Sequence, residues 1–457
     1  MKEFKKRKIN NQSGAAMLIA IVFFLFISLA IISGLVSPSI REVANASTNL
    51  NSKKSYFLAE SGTEDAIYRI KKSMTISESE TITLNSNSVI TTIITLPGNT
   101  KEVSSLGNVF GYQRKTKATL STDIGVSFNY GVHAGEGGLQ MDNNTRVIGN
   151  VYANGDIVGT SGGATITETA IVAGATGKID AVSVNGDANA HFLEDITVGR
   201  NSFSASLLRG TVAGNAVSDS ISSCTINGNA TYDTQTSCTI LGSQTTPNPT
   251  NYVDPSPVPF PISDAQITAW EQEAIAGGTI SSQTYNSGSQ TLGPKKINGN
   301  LTLNNTAELI MTGTIWVTGK VYFNNSSKVR LSPSYGNTSG VLLAGVKGST
   351  SAGEIELNNS SFASGSGQPG SYLMFLSQRV GTSDAIDLEN NITAGIAYAP
   401  YGTIEITNNN AGVKEATGWR VHLQNNSTIT YESGLPDVNF TGGPSGAWSV
   451  QGWGESE

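Results

Sequence analysis

Apolar and polar positions change pattern several times along the chain, and the sharpest change comes first. Six of the first eight residues are charged, Gln12-Ser13-Gly14 follows, and Ala15 to Val36 is an unbroken apolar run. At about 1.5 Å per residue, these 22 residues form a helix of roughly 33 Å, enough to cross a hydrocarbon core of about 30 Å. Lys2, Lys5, Lys6, Arg7 and Lys8 against Glu3 leave net +4 ahead of the run. By the positive-inside rule that end stays cytoplasmic and everything after Val36 goes outward. In an ordinary secretory signal the cleavage site follows the apolar region. Here the plausible cut, between Gly14 and Ala15, precedes it and leaves the apolar helix on the mature chain.

Pro38 removes one helical hydrogen bond and crowds the preceding turn, which predicts a kink or local melting. Helix then resumes to about residue 73, with Val43, Ala46, Leu50, Phe57, Ala59, Ala66, Ile67 and Ile70 as an imperfect apolar stripe. Over residues 74–135 the segments ETITL, SVITTIITL and TKATLSTDIGVSFNY alternate apolar and polar positions, predicting a small antiparallel sheet packed on the helix.

Residues 136–245 carry a short repeat. VSVNGDANA, ITVGRNSFS, TVAGNAVSD, TINGNATYD and TILGSQT place Gly186, Gly199, Gly214, Gly228 and Gly242 at spacings of 13, 15, 14 and 14. A β-branched pair followed by Gly every 14 or so residues predicts a β-solenoid, with strand residues facing a stacked core and Gly taking a left-handed corner. Cys224 and Cys238 occupy equivalent positions in successive repeats. Adjacent rungs lie about 4.8 Å apart, within reach of a disulfide, which an oxidising exterior favours.

Six prolines between residues 246 and 262 predict an extended connector separating two structural units. Ser263 and Gln266 have capping-box spacing ahead of a helix ending near Gly277, whose Trp270 is placed to pack against a solenoid end or flank. Over residues 278–457 a different phrase recurs: LTLNN, VYFNN, IELNN, IDLENN, IEITNN and VHLQNN. Its asparagine pairs begin at Asn304, Asn324, Asn358, Asn390, Asn408 and Asn425, and an earlier copy, LQMDNN, ends at Asn144. The period-2 strand faces inward and the Asn pair makes the turn of a second solenoid, where side-chain amides can form ladders between rungs. The expected fold is therefore mainly β: a long N-terminal helix, a small antiparallel sheet, and parallel β-solenoid domains.

The short basic leader of residues 1–14, Gly14 at the junction with Ala15, the apolar helix of residues 15–36 and its amphipathic continuation over 37–73 resemble the class III signal and helix of type IV pilins and pseudopilins. The stretch Ala59-Glu60-Ser61-Gly62-Thr63-Glu64-Asp65-Ala66 is similar to the segment after the membrane helix in PilX-type and GspK-type minor pilins. The resemblance implies cleavage by a prepilin peptidase, a helix containing Ile19, Phe23, Phe24 and Pro38 that moves from the cytoplasmic membrane into a filament, and other pilins as partners. Most pilins carry Glu five residues into the mature chain. Ile19 stands there, which implies a tip or sparse position rather than the repeating shaft. The 14-residue repeats look like those of bactofilin-type polymer-forming proteins over about 60 residues. YAPYGTIEITNNN with VHLQNNSTITYES resembles the C-terminal β-helix of PilX-like proteins over roughly 160 residues.

Charge narrows the function classes. Removing the leader takes five of 28 basic and one of 35 acidic residues, leaving 23 against 34, a net charge of −11. That argues against a nucleic-acid partner, since phosphate binding needs concentrated positive charge. Two cysteines with no nearby His argue against a metal site, and no cofactor is expected. Enzymes on β-helices use clustered inward or facing acids, and Asp384, Asp387 and Glu389 are the densest group here. With His133, His191 and His422 scattered and no nucleophile motif, these acids read as a solvent-facing patch and the chain as no enzyme. Glu60 and Glu64, one turn apart without a third group, read as a solvated helix face. Trp316, Tyr322, Tyr398, Tyr401 and Trp419 could stack on a surface glycan or host-cell ligand, which would suit an anchored adhesin; most read more simply as core or edge residues.

Overall fold

A computed structural model describes residues 12–71, 76–85, 87–96, 100–121, 124–160, 162–390, 392–408, 412–440 and 449–456. It divides into a helix-and-sheet unit, residues 1–121 with 449–457, and a solenoid unit, residues 122–448. The division expected from the sequence had no such return of the chain to its first unit.

In the first unit, helix α1 (Gln12–Lys71) runs unbroken through Pro38. Local melting does not occur. The proline ring crowds the carbonyl four residues back, which belongs to Gly34, a residue with no side chain to add to the crowding. Its second half lies on a meander of β1 (Ser79–Leu84), β2 (Asn87–Leu96), β3 (Thr100–Val109) and β4 (Tyr112–Ser121), paired antiparallel in that order. The buried stripe is Ser55, Ala59, Gly62, Thr63, Ala66, Ile67 and Ile70. Val43, Leu50 and Phe57, expected in that stripe, are exposed. Small residues replace them because helix and sheet approach closely: a Cβ on Gly107 would lie 2.2 Å from the Ser55 carbonyl oxygen, and one on Gly62 would lie 2.7 Å from Val89 Cγ2. The polar atoms this approach buries are paired, Ser55 Oγ with the Gly107 carbonyl at 2.6 Å and Thr63 with Thr116 at 2.7 Å. A fifth strand, Ser449–Ser456, pairs antiparallel with β4 from Lys115↔Ser456 to Ser121↔Ser449. The whole solenoid unit is thus an insertion between two neighbouring strands of one sheet.

Within the solenoid unit the two repeat regions are not separate solenoids. The first run climbs from Val132–Met141 to Gln244–Thr245. The second climbs in parallel from Thr279–Tyr285 to Glu415–Leu423. Its last rung then pairs in parallel with the first rung of the earlier run, Ala416↔Val132 through Leu423↔Met141, with Thr428↔Arg146 beside it. One stack results, which the chain joins in the middle, climbs to one end, and re-enters at the other. The proline-rich segment is a strap that descends the outside of this stack: Asn248 bonds Asp233, Tyr252 Oη bonds Asn189 at 2.9 Å, and Val258 exchanges two bonds with Asn154. An extended chain without regular partners offers backbone groups that the rungs' Asn and Asp side chains satisfy, so it binds the stack instead of spacing two bodies. Helix α2 (Asp264–Ala276), closed by the Ser263/Gln266 capping box, packs Trp270 edge-on to Phe440 over the flank of the stack.

The interior is columns of identical chemistry, such as Val184, Val198, Val212 and Ile226, and Leu193, Leu207 and Ile221, all buried. The repeat glycines have a different reason from the one the sequence suggested. None of Gly186, Gly199, Gly214, Gly228 and Gly242 has positive φ; each sits where a Cβ would fall 2.3–2.5 Å from backbone of the rung below. The left-handed corners belong to Ala181, Asp195, Arg209, Ser223 and Ser237. Next to the glycines, Asn201, Asn215 and Asn229 each accept the backbone N–H of the next rung at 2.9–3.0 Å. On six rungs of the second run a left-handed residue lies two past the last inward side chain: Asn305, Asn325, Asn359, Asn390, Asn408 and Asn425, with Asn143 continuing the series in the first run. Of the pairs beginning at Asn304, Asn324 and Asn358 it is therefore the second member that turns. Amide ladders link Asn143 to Asn425 to Asn408, and Asn324 to Asn304 to Asn286.

Cys224 and Cys238 form a disulfide across adjacent rungs, Cα to Cα 4.5 Å, close to the end of the stack at Thr245. Replacing both by Ser should cost about 3 kcal/mol, the value for closing a loop of this size, and should raise hydrogen exchange first at Thr225 and Thr239. Gly107→Ala should destabilise the helix-and-sheet unit by about 2 kcal/mol or more, because backbone rather than a movable side chain opposes the new methyl; thermal denaturation of the variant measures it.

Candidate functional site

The exposed first half of α1 is one candidate. Every residue from Ala15 to Leu50 is exposed, including Ile19, Phe23, Phe24 and Pro38, and among the described residues α1 is the one helix long and apolar enough to cross a membrane. Gly14 and Ala15 lie on its backbone; residues 1–11 of the leader lie outside the described residues. Further along, Ala59 and Gly62 face the sheet, Glu64 is exposed and Glu60 half-buried. The two acids therefore do not form a buried pair.

The second candidate is a polar column on the outer face of the stack. Each phrase of the type Ile-Glu-Leu buries its first and third residues and presents the second outward, as a strand period of two requires. Parallel register then aligns Tyr322, Glu356, Asp387, Glu405, His422 and Gln140 on consecutive rungs. Three carboxylates therefore stand in a row at about 4.8 Å intervals, and the histidine expected to be isolated ends the row. His422 Nε2 lies 2.8 Å from Asp142 Oδ2 and Nδ1 lies 2.8 Å from Glu405 Oε2. Burial opposes charge on this ring, but the two carboxylates outweigh it and raise its pKa. Asp142 is correspondingly lowered: burial alone would raise it, and bonds from His422, Thr160 and Gln140 outweigh that. Gln424 also bonds Glu405, and Asn358 donates to Glu356 at 2.7 Å.

Asp387 differs from its neighbours. Its Oδ1 is buried without a hydrogen-bond partner among the described residues. Burial, with Glu389, Asp384, Glu356 and Glu405 around it, pushes its carboxyl up to about 8. Glu405, next in the row, is held by His422 and Gln424. Among the described residues no group of His, Cys, Asp and Glu is arranged to hold a metal ion. Of the aromatic candidates, Trp316 and Tyr398 are buried, with Trp316 Nε1 donating to the Gly345 carbonyl at 2.8 Å and Tyr398 bonded to Ile262 of the strap. Tyr401 bonds Asp264 of α2, while Tyr322 and Trp419 are partly exposed. Sequence inspection missed Glu356 and Glu405 as members of the column and Asp142 as a partner of His422. The repeated phrase held the signal, because each copy puts its polar residue at the same place between two inward apolar ones.

No family model and no curated protein matches the chain. Among solved structures, the crystal structure of competence-associated pilin ComZ from Thermus thermophilus aligns over 89% of this chain and 97% of that chain, at 12% identity and a TM-score of 0.25. So loose a superposition carries no argument about this chain.

The acidic column makes the solenoid unit sensitive to pH. Asp387 ionises near pH 4 in an unfolded chain but near pH 8 in the folded one. Between those values the folded state holds the extra proton, so stability falls as pH rises and the loss is complete above about 8. Asp387→Asn should therefore raise the melting temperature at pH 8 and change it little at pH 4. After allowance for residual solvent contact the gain at pH 8 should be about 1–3 kcal/mol. Thermal melts of both proteins across pH 4–9 measure it.

Proposed function

We propose that the chain is a pilin-like structural subunit: a membrane-inserted precursor cleaved after Gly14 by a prepilin peptidase, whose helix then leaves the bilayer for a type IV pilus or related filament. The observation that carries this reading is the division of α1. Its first part is apolar and exposed, while Ser55 to Ile70 is committed to the small sheet. Helix packing against other pilins would replace lipid around the first part. Without a carboxylate at Ile19 to neutralise a neighbouring N-terminal amine, the subunit suits a tip or sparse position, and a solenoid of this size inserted in the sheet suits display rather than a repeating shaft. The function is assembly and presentation, with a surface glycan or host-cell ligand as the partner of the solenoid and no turnover. The competing reading is an anchored surface protein outside any filament.

Sheared surface filaments, analysed by intact mass and N-terminal sequencing, separate the two. The expected mature chain begins at Ala15, is present in filaments and is lost from them in Gly14→Ala. A full-length chain confined to the membrane in both strains would overturn the proposal.

A further inference from the structure

Where the two runs of rungs meet, the outer face of the solenoid carries a pocket of about 320 Å³. Its floor comes from the joint itself: Glu415 and Thr417 from the last rung of the second run, and His133 from the first rung of the earlier run, with Thr417 and His133 paired in register. Phe128 and Tyr130, just ahead of that rung, and Phe260 of the strap supply aromatic walls, with Pro259 and Pro261 beside them. Among the described residues no Lys or Arg lines it.

Two buried polar groups point to an unassigned ligand. Glu415 is 1% exposed, and while Oε1 accepts the Thr417 hydroxyl, Oε2 has no partner among the described residues. His133 is 4% exposed, and its Nε2 has none either. Unpaired buried groups are destabilising and rare in folded proteins. Both belong to one pocket. Burial drives the His133 pKa down to about 4, against a hydrogen bond to the Val258 backbone that favours the charged ring. At neutral pH the ring is therefore uncharged and, since a backbone carbonyl can only accept, Nε2 is left as an acceptor. The floor thus presents a carboxyl oxygen and an imidazole nitrogen to any ligand, and the aromatic faces above carry negative potential.

We propose that this pocket binds an alkylammonium group, such as the side chain of a lysine on a partner polypeptide. The ammonium has three donors and a positive charge, and the floor offers the acceptors and the one acid to meet them. The rings of Phe128, Tyr130 and Phe260 and the prolines match a methylene stem, while Ser127 and Asn129 also line the pocket, so glucosamine is the competitor the test must include. Burial pushes the Glu415 carboxyl well up while it lacks a counter-ion, and the incoming cation supplies one. The site rests on the fold alone and does not depend on the chain entering a filament.

The test is calorimetric titration of the full-length protein in detergent micelles with n-butylammonium, N-acetyl-lysine N-methylamide, glucosamine and n-butanol. Saturable one-to-one binding of the butylammonium and of the lysine amide is expected, weakened at least tenfold by Glu415→Gln and also weakened by Tyr130→Leu, with no binding of butanol. Binding of butylammonium without the lysine amide would assign the site to a free amine instead of a side chain. The proposal is overturned if butanol binds as well as butylammonium, if glucosamine binds best, if Glu415→Gln binds like wild type, or if no amine binds. Should Glu415→Gln fail to fold, the comparison of butylammonium with butanol on the wild-type protein decides the question alone.

Discussion

The solenoid unit depends on one non-local joint, the parallel pairing of Glu415–Leu423 with Val132–Met141. Without it the first run of rungs would begin, and the second would end, on an open row of backbone N–H and C=O groups, the edge that invites pairing with other chains. The joint turns two internal edges into one continuous interior, and Val132, Ala134, Leu139 and Met141 share a single core with Ala416, Val421 and Leu423. It also assembles features that neither run holds alone: the column from Glu356 to Gln140, the Asp142–His422–Glu405 bridge, and the pocket floored by Glu415 and His133. Residues about 280 positions apart meet there, so closing the joint carries a large loop entropy that local rung stacking must offset.

Much of this was legible in the sequence, and what was missed has physical causes. The helix, the alternating strands, both repeats, the disulfide and the capping box are local, each set by a periodicity or a spacing within about twenty residues. The order of the rungs is not local. The copy LQMDNN at residues 139–144 was visible as a stray member of a family otherwise found beyond residue 300; it is the next rung of the same stack, displaced in sequence because the chain joins the solenoid in the middle. Proline content was read as separation, yet an extended strap and an extended linker have the same composition, and only the partners on the rungs distinguish them. The strand Ser449–Ser456 was missed because its sequence, SVQGWGES, shows no sustained alternation.

The glycines and acids teach the same point at the scale of single residues. Spacing identified Gly186, Gly199, Gly214, Gly228 and Gly242 correctly as constrained, but attributed the constraint to backbone conformation when the cause is the carbonyl of the rung below. Asp384, Asp387 and Glu389 were recognised as a dense group of acids. Glu356, Glu405 and His422 lie on other rungs, where register rather than proximity in sequence brings them into the same column.

The chain enters the solenoid unit along Ile124–Val126 and leaves it along Val438–Phe440, and these two short strands pair antiparallel. Tension applied to the two ends of the unit is therefore resisted first where they meet. Each rung lies in the covalent path between them, yet none is strained until that ladder and the contacts behind it have opened. A unit attached in this way is shielded from pulling much as a bead hung by a closed loop of thread is shielded: the knot takes the strain, and the rungs keep their shape.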